Sequence, residues 1–161
     1  MSLINPALTS APHTVADCFL SDGVLAQHLP GFAPREPQRL MAQAVDAAIQ
    51  QHSQLLVEAG TGTGKTYAYL VPALLSGKRV IISTGSKALQ AQLFNRDLPA
   101  LLGPLGFHQP IALLKGRANY LCPERLDQLL ATTTTPEAEV LADLPRVRMF
   151  AISSQNGDVA D

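Results

Sequence analysis

Ala59-Gly-Thr-Gly-Thr-Gly-Lys-Thr66 packs three glycines, three threonines and a lysine into eight residues. No other stretch constrains the fold as tightly. Glycine at alternate positions lets the backbone curl until several N–H groups face one point, a path that a Cβ would obstruct. The stretch fits the phosphate-loop pattern, with Ala59 standing where that pattern has glycine. Such a loop follows a buried strand and opens a helix, whose positive end adds to the attraction for phosphate. Both neighbours are readable. Gln54-Leu-Leu-Val-Glu58 is a short apolar run bounded by turn formers, a strand candidate. A helix is expected from near Lys65 to about Leu75, with Pro72 kinking or shortening it. Ala59, Gly60, Thr61, Gly62, Thr63 and Gly64 form the cradle. Lys65 supplies a mobile charge for the outer phosphates, and Thr66 a hydroxyl where Mg²⁺ would sit. A dinucleotide-type G-x-G-x-x-G site is disfavoured, because residue 65 is lysine.

The rest of the chain alternates in kind. Residues 1–34, with four prolines, read as an irregular lead-in carrying one short helix between Val15 and His28. A helix starts near Pro37, with Leu40, Met41, Ala44, Val45, Ala48 and Ile49 on one stripe. Lys78-Arg-Val-Ile-Ile-Ser83 and Ile111–Leu114 are two more strand candidates. Between them Ser86 can cap a third helix running toward Pro99. Pro123–Leu130 reads as helical, and so does Pro136 to about Phe150, interrupted by Pro145; the last eleven residues suggest no element. Strand alternating with helix implies an α/β fold with right-handed crossovers and a parallel sheet.

Composition narrows the class. The chain has 161 residues, 47% of them hydrophobic and 16% charged, which suits a folded domain rather than a disordered one. The longest apolar run, Tyr67 to Leu75, is far short of the ~20 residues of a membrane-spanning helix. No basic residue precedes Arg35, so no secretory signal is read, and two cysteines make no disulfide scaffold; a reducing cytoplasm is the expected compartment. Charge is uneven: net −2 over residues 1–77, +5 over 78–117 and −4 over 118–161. A basic middle points to a phosphate-rich ligand, though a solvated surface gives the same pattern. His13, His28, His52 and His108 show no ligand spacing, and Cys18 reads as a structural or surface thiol.

Four segments in a fixed order resemble one family. Glu58–Thr66 resembles the first motif of the iron–sulfur branch of superfamily 2, the XPD-like and DinG-like DNA helicases. Arg35-Glu-Pro-Gln38 resembles that branch's adenine-reading segment. Ile81–Leu93 is similar to its strand-turn-helix segment after the phosphate loop, and Lys115-Gly-Arg-Ala-Asn-Tyr-Leu-Cys122 to the stretch bearing its first cluster cysteine. The likeness runs over about residues 28–125 and is greatest on the YoaA side of the bacterial DinG/YoaA group. It implies a partial RecA-like motor domain over 35–114 and the start of an iron–sulfur region over 115–161. It implies ATP and Mg²⁺ as ligands, with Arg35 and Gln38 at the adenine; an amide offers the base one donor and one acceptor. Thr84, Ser86, Lys87, Gln90 and Arg117 would meet the DNA backbone, single-stranded or forked. Cys122 would be one ligand of a [4Fe–4S] cluster, which takes four thiolates. Replication or repair proteins would be partners, and no membrane.

The sequence also departs from the family. No Asp-Glu pair occurs in it, so the motif that completes Mg²⁺ binding and orients the attacking water is missing, as are three cluster cysteines and the second motor domain. Ile152-Ser-Ser-Gln-Asn-Gly-Asp158 resembles the segment before the second cysteine, and there the match stops. The expectation is an amino-terminal helicase fragment that binds ATP weakly, turns none over and assembles no cluster. Two alternatives stay open: a non-catalytic nucleotide- or partner-binding module, and another P-loop phosphotransferase.

Overall fold

The computed structural model describes residues 14–131 and 138–160. The chain divides into two compact units, Met1–Ile111 and Ala112–Asp161.

In the first unit the lead-in forms two short helices rather than one, α1 (Val15–Cys18) and α2 (Val24–His28). Thr14 and Asp17 cap α1 reciprocally: the Asp17 N–H donates to Thr14 Oγ1 at 3.2 Å and the Thr14 N–H to Asp17 Oδ2 at 3.3 Å. The break lies at Gly23, where a Cβ would run into the carbonyls of Asp17 and Cys18. α3 (Glu36–Gln51) carries proline in its first turn, as the sequence predicts, and ends on His52 in the left-handed region. Lys78 Nζ donates to the Ile49 carbonyl at that end, at 2.7 Å.

α4 (Lys65–Leu75) runs straight through Pro72, which is fully buried. The helix is neither broken nor shortened there. Proline near a helix end costs little when packing holds the turn, and Ser76 N–H still reaches the Pro72 carbonyl at 3.0 Å. α5 (Lys87–Gln92) is capped as expected, the Leu89 N–H donating to Ser86 Oγ at 3.2 Å. It passes through a π-turn, Leu93–Asp97, into α6 (Leu98–Leu102), so the helical path continues past Pro99.

Phe19, Leu25, Leu70, Val71, Leu93 and Leu101 are the heart of the core. α3 packs along α4, and α1 lies on both. The lead-in thus contributes to this core, with Phe19 stacked at a tilt on Phe32, ring centroids 6.4 Å apart. On α3 the fully buried positions are Gln38 and Ala42, one turn apart. The apolar stripe read from the sequence is split: Met41 packs against this core, Leu40 is exposed, and Val45, Ala48 and Ile49 line a cavity of about 310 Å³ with Ser53, Leu55 and Val57.

The three strand candidates, Gln54–Glu58, Lys78–Ser83 and Ile111–Leu114, carry no ladder among the described residues. Leu56 is 98% exposed and Ile81 92%. A strand exists only through its partner's hydrogen bonds, so an apolar run without a neighbouring ladder is left without regular structure.

The second unit holds a 3₁₀ turn (Arg117–Asn119), α7 (Pro123–Ala131) and α8 (Ala138–Ser153). α8 continues through Pro145 where the sequence suggests an interruption; residues 136 and 137, at its expected start, lie outside the described residues. The last residues are not featureless. Tyr120 and Asp158 form an antiparallel bridge, flanked by Leu121 N–H to the Gly157 carbonyl at 2.8 Å and Val159 N–H to the Asn119 carbonyl at 2.9 Å. Beneath it Lys115 and Asp158 make an ion pair in which both side chains are almost wholly buried, and the Lys115 N–H donates to the Tyr120 hydroxyl at 2.8 Å.

Candidate nucleotide and nucleic-acid site

The phosphate loop is shaped by two left-handed glycines, Gly62 (φ 77°) and Gly64 (φ 80°), the second sitting at the mouth of α4. Gln38 Nε2 donates to the Gly64 carbonyl at 2.8 Å from a side chain only 4% exposed, so α3 fixes the point where loop becomes helix. A Cβ on Gly64 would collide with that amide. The Arg35 guanidinium donates to the Gly62 carbonyl. The Thr63 hydroxyl donates to the Gly60 carbonyl at 3.0 Å. Lys65 Nζ donates to the Ala59 carbonyl at 2.8 Å and the Gly60 carbonyl at 2.6 Å. The geometry therefore brings Arg35, Gln38, Ala59, Gly60, Gly62, Thr63, Gly64 and Lys65 into one structure. Thr61 is exposed at the loop's tip, and Thr66 is half-buried in the first turn of α4.

Mg²⁺ usually takes few protein ligands and fills its octahedron with phosphate oxygens and water. One hydroxyl at Thr66 fits that demand. Ammonium, guanidinium and backbone N–H groups around a positive helix end suit a polyphosphate.

The segment Thr84–Gln90 is held by its own turn. The Thr84 hydroxyl donates to the Ser86 carbonyl at 3.2 Å, and Lys87 is exposed. Arg117, in the second unit, is exposed on the 3₁₀ turn. Cys122 is exposed just before α7, its carbonyl accepting the Leu126 N–H at 3.1 Å. Among the described residues no three of His, Cys, Asp and Glu come close enough to hold a metal ion. A four-thiolate cluster does not fit them.

Sequence reasoning missed Asp97. It is 2% exposed in the π-turn, accepting from Gln92 Nε2 and Arg96 Nε, each at 2.8 Å. The Gln92–Asp97 pair is five residues apart, off the three- and four-residue spacing that flags helical neighbours. Burial, and after it the Asp97 charge, raises the Tyr67 phenol above its ordinary range. Burial raises Tyr69 as well, the Thr66 hydroxyl opposing and Asp97 adding to it. Cys18 is buried, and burial first, then the Asp17 charge, pushes its thiol up to about 11.

With this geometry in place, comparison with known proteins is decisive. Residues 38–138 match the DEAD/DEAH box helicase family. The chain belongs to that family. Its fold class is accordingly RecA-like. Among relatives, the chain is 56% identical over 147 residues to the ATP-dependent DNA helicase YoaA of Haemophilus influenzae, covering 91% of this chain and 23% of that protein. It is 53% identical over 146 residues to YoaA of Escherichia coli, with the same coverage of each. The 3'-5' exonuclease DinG of Bacillus subtilis is 34% identical over 145 residues, 88% of this chain and 16% of that protein. The DinG/YoaA likeness read from four short segments therefore extends over nine-tenths of the chain. The chain spans about a quarter of the length of the YoaA proteins it matches. No described helix is long and apolar enough to cross a membrane.

Proposed function

We propose that the chain is the ATP-binding portion of an ATP-dependent DNA helicase of the DinG/YoaA type, a cytoplasmic enzyme of DNA repair or replication moving 5′→3′ on single-stranded or forked DNA. The observation that carries this reading is the closed network of Arg35, Gln38 and Lys65 around a loop with two left-handed glycines.

In this reading the loop N–H groups and Lys65 hold the β- and γ-phosphates of ATP. Lys65 exchanges its two carbonyl partners for phosphate oxygens, a stronger, charge-assisted contact. Thr66 places its hydroxyl on Mg²⁺, which when bound neutralises charge on the phosphates. The Gln38 donor is used on Gly64, leaving its Oε1 acceptor for the adenine amino group; Arg35 orders the same edge. In the whole protein Gln54–Glu58, Lys78–Ser83 and Ile111–Leu114 would be strands of a parallel sheet, within a motor domain beginning at residue 35. Residues 115–161 begin an iron–sulfur region in which Cys122 is one ligand. Thr84, Ser86, Lys87, Gln90 and Arg117 contact DNA phosphates, giving affinity without sequence preference.

The chain contains no Asp-Glu pair to orient an attacking water, so it binds ATP without turning it over. Titration of a fluorescent ATP analogue, with Mg²⁺ and after chelation, tests the reading. Mg²⁺-dependent binding is expected, weakened about tenfold or more by Lys65→Ala, the scale of a lost charged contact. Equal binding by both proteins would refute it, and so would DNA-stimulated ATP hydrolysis that Lys65→Ala abolishes refute the absence of turnover.

A further inference from the structure

Asp97 is a buried carboxylate that the ATP chemistry above does not use. Removing a carboxylate from water costs several kcal/mol unless donors replace the lost hydration. Here two do, Gln92 Nε2 from the end of α5 and Arg96 Nε from within the π-turn, while Arg96 itself stays 71% exposed. A π-turn adds a residue to the helical register and is frequently found at functional places. In this one, Leu93 and Asp97 are the buried residues, and the turn packs on α4. α4 is the helix whose first residues, Lys65 and Thr66, complete the phosphate loop. The turn that holds the carboxylate thus joins α5, which includes Lys87 and Gln90, to a packing contact with the helix that begins at the phosphates.

We propose that Asp97 is a positioning residue that couples DNA held at Thr84–Gln90 to the shape of the phosphate loop, by tying Gln92 of α5 to the π-turn that packs on α4. This inference rests on the reading that Thr84–Gln90 meets DNA. A strand pulling on α5 would shift Gln92, and with it a buried carboxylate and the π-turn that packs on α4. Packed interiors transmit such shifts because they do not deform continuously.

Amide hydrogen exchange on the 161-residue chain, with and without an oligothymidylate, tests it. In the wild type the oligonucleotide should slow exchange at Ser86–Gln90 and, through coupling, at Thr66–Tyr69 by about fivefold or more, the low end of measured site-to-site couplings. In Asp97→Asn, which keeps size and one acceptor, protection at Ser86–Gln90 should remain while most of that at Thr66–Tyr69 disappears. Gln92→Leu, which leaves the Arg96 pair in place, should do the same and serves if Asp97→Asn fails to fold, as reported by lost protection in α1 and α3. Protection confined to Ser86–Gln90 in the wild type would overturn the coupling, and so would full protection at both places in the folded variants. If the oligonucleotide protects neither segment, the DNA reading and this inference fall together.

Discussion

The helices of the first unit and the apolar runs between them were written in the same residues and came to opposite ends. Leu70 and Val71 are wholly buried in α4, whereas Leu56 and Ile81 stand almost bare. A helix satisfies its backbone within its own segment, so α1, α3 and α4 need only one another's side chains. An extended run needs a neighbour's N–H and C=O groups before its side chains have a surface to cover. The difference teaches that, among the described residues, the side chains that reach the phosphate loop from outside it come from the helical side, Gln38 in α3 and Arg35 just before it.

The comparison breaks first at a pair of leucines. Leu70→Ala should destabilise the chain by about 3 kcal/mol in urea unfolding, the range for a truncated core leucine. Leu56→Ala should change it by less than about 0.5 kcal/mol. A large loss at Leu56 would mean that the run packs against something in solution. Next comes the junction of the two kinds of structure. Gly64→Ala puts a side chain at φ 80° and against Gln38, which should cost roughly 2 kcal/mol and abolish binding of the ATP analogue even where the core remains folded. Gln38→Ala in the same background should relieve the clash without restoring the loop.

A smaller effect is expected at the second junction, where Ser86 closes the start of α5 after Lys78–Ser83. Ser86→Ala should cost about 1 kcal/mol, read as a lower denaturation midpoint at unchanged slope. Last is a contrast within the helices that leaves stability at neutral pH untouched. Cys18, with its thiol raised from an ordinary 9.0 to about 11, should resist alkylation at pH 8 while exposed Cys122 reacts. Because the folded form raises this pKa, the associated stability is fully present below about pH 9 and drains away as pH climbs toward 11. Equal labelling of both thiols would show that α1 opens readily.

What could be read from the sequence was what local chemistry decides. The glycine spacing of the loop, Pro37 in a first turn, Ser86 as a cap and Pro123 opening α7 each depend on a few adjacent atoms, and all are present. What could not be read depends on distant packing. Pro72 and Pro145 look like breaks in isolation, yet both helices continue through them. α3 shows its apolar stripe clearly, but the face it buries most deeply holds a glutamine, because that is where α4 and the loop are. Phe19 lies in a proline-rich lead-in with no periodicity to announce a core residue. Asp97 and Gln92 meet only because of a π-turn that no spacing rule encodes.

The bridge between Tyr120 and Asp158 fastens shut a loop of about forty residues, with Lys115 and Asp158 as its clasp. Closing such a loop has an entropic cost that grows only slowly with its length, so a longer connection between Tyr120 and Asp158 would weaken the clasp little. Under a pulling force applied at residues 115 and 160 the bridge, its two flanking bonds and the buried ion pair bear the load together, and once they give way α7 and α8 have only their own hydrogen bonds to resist extension.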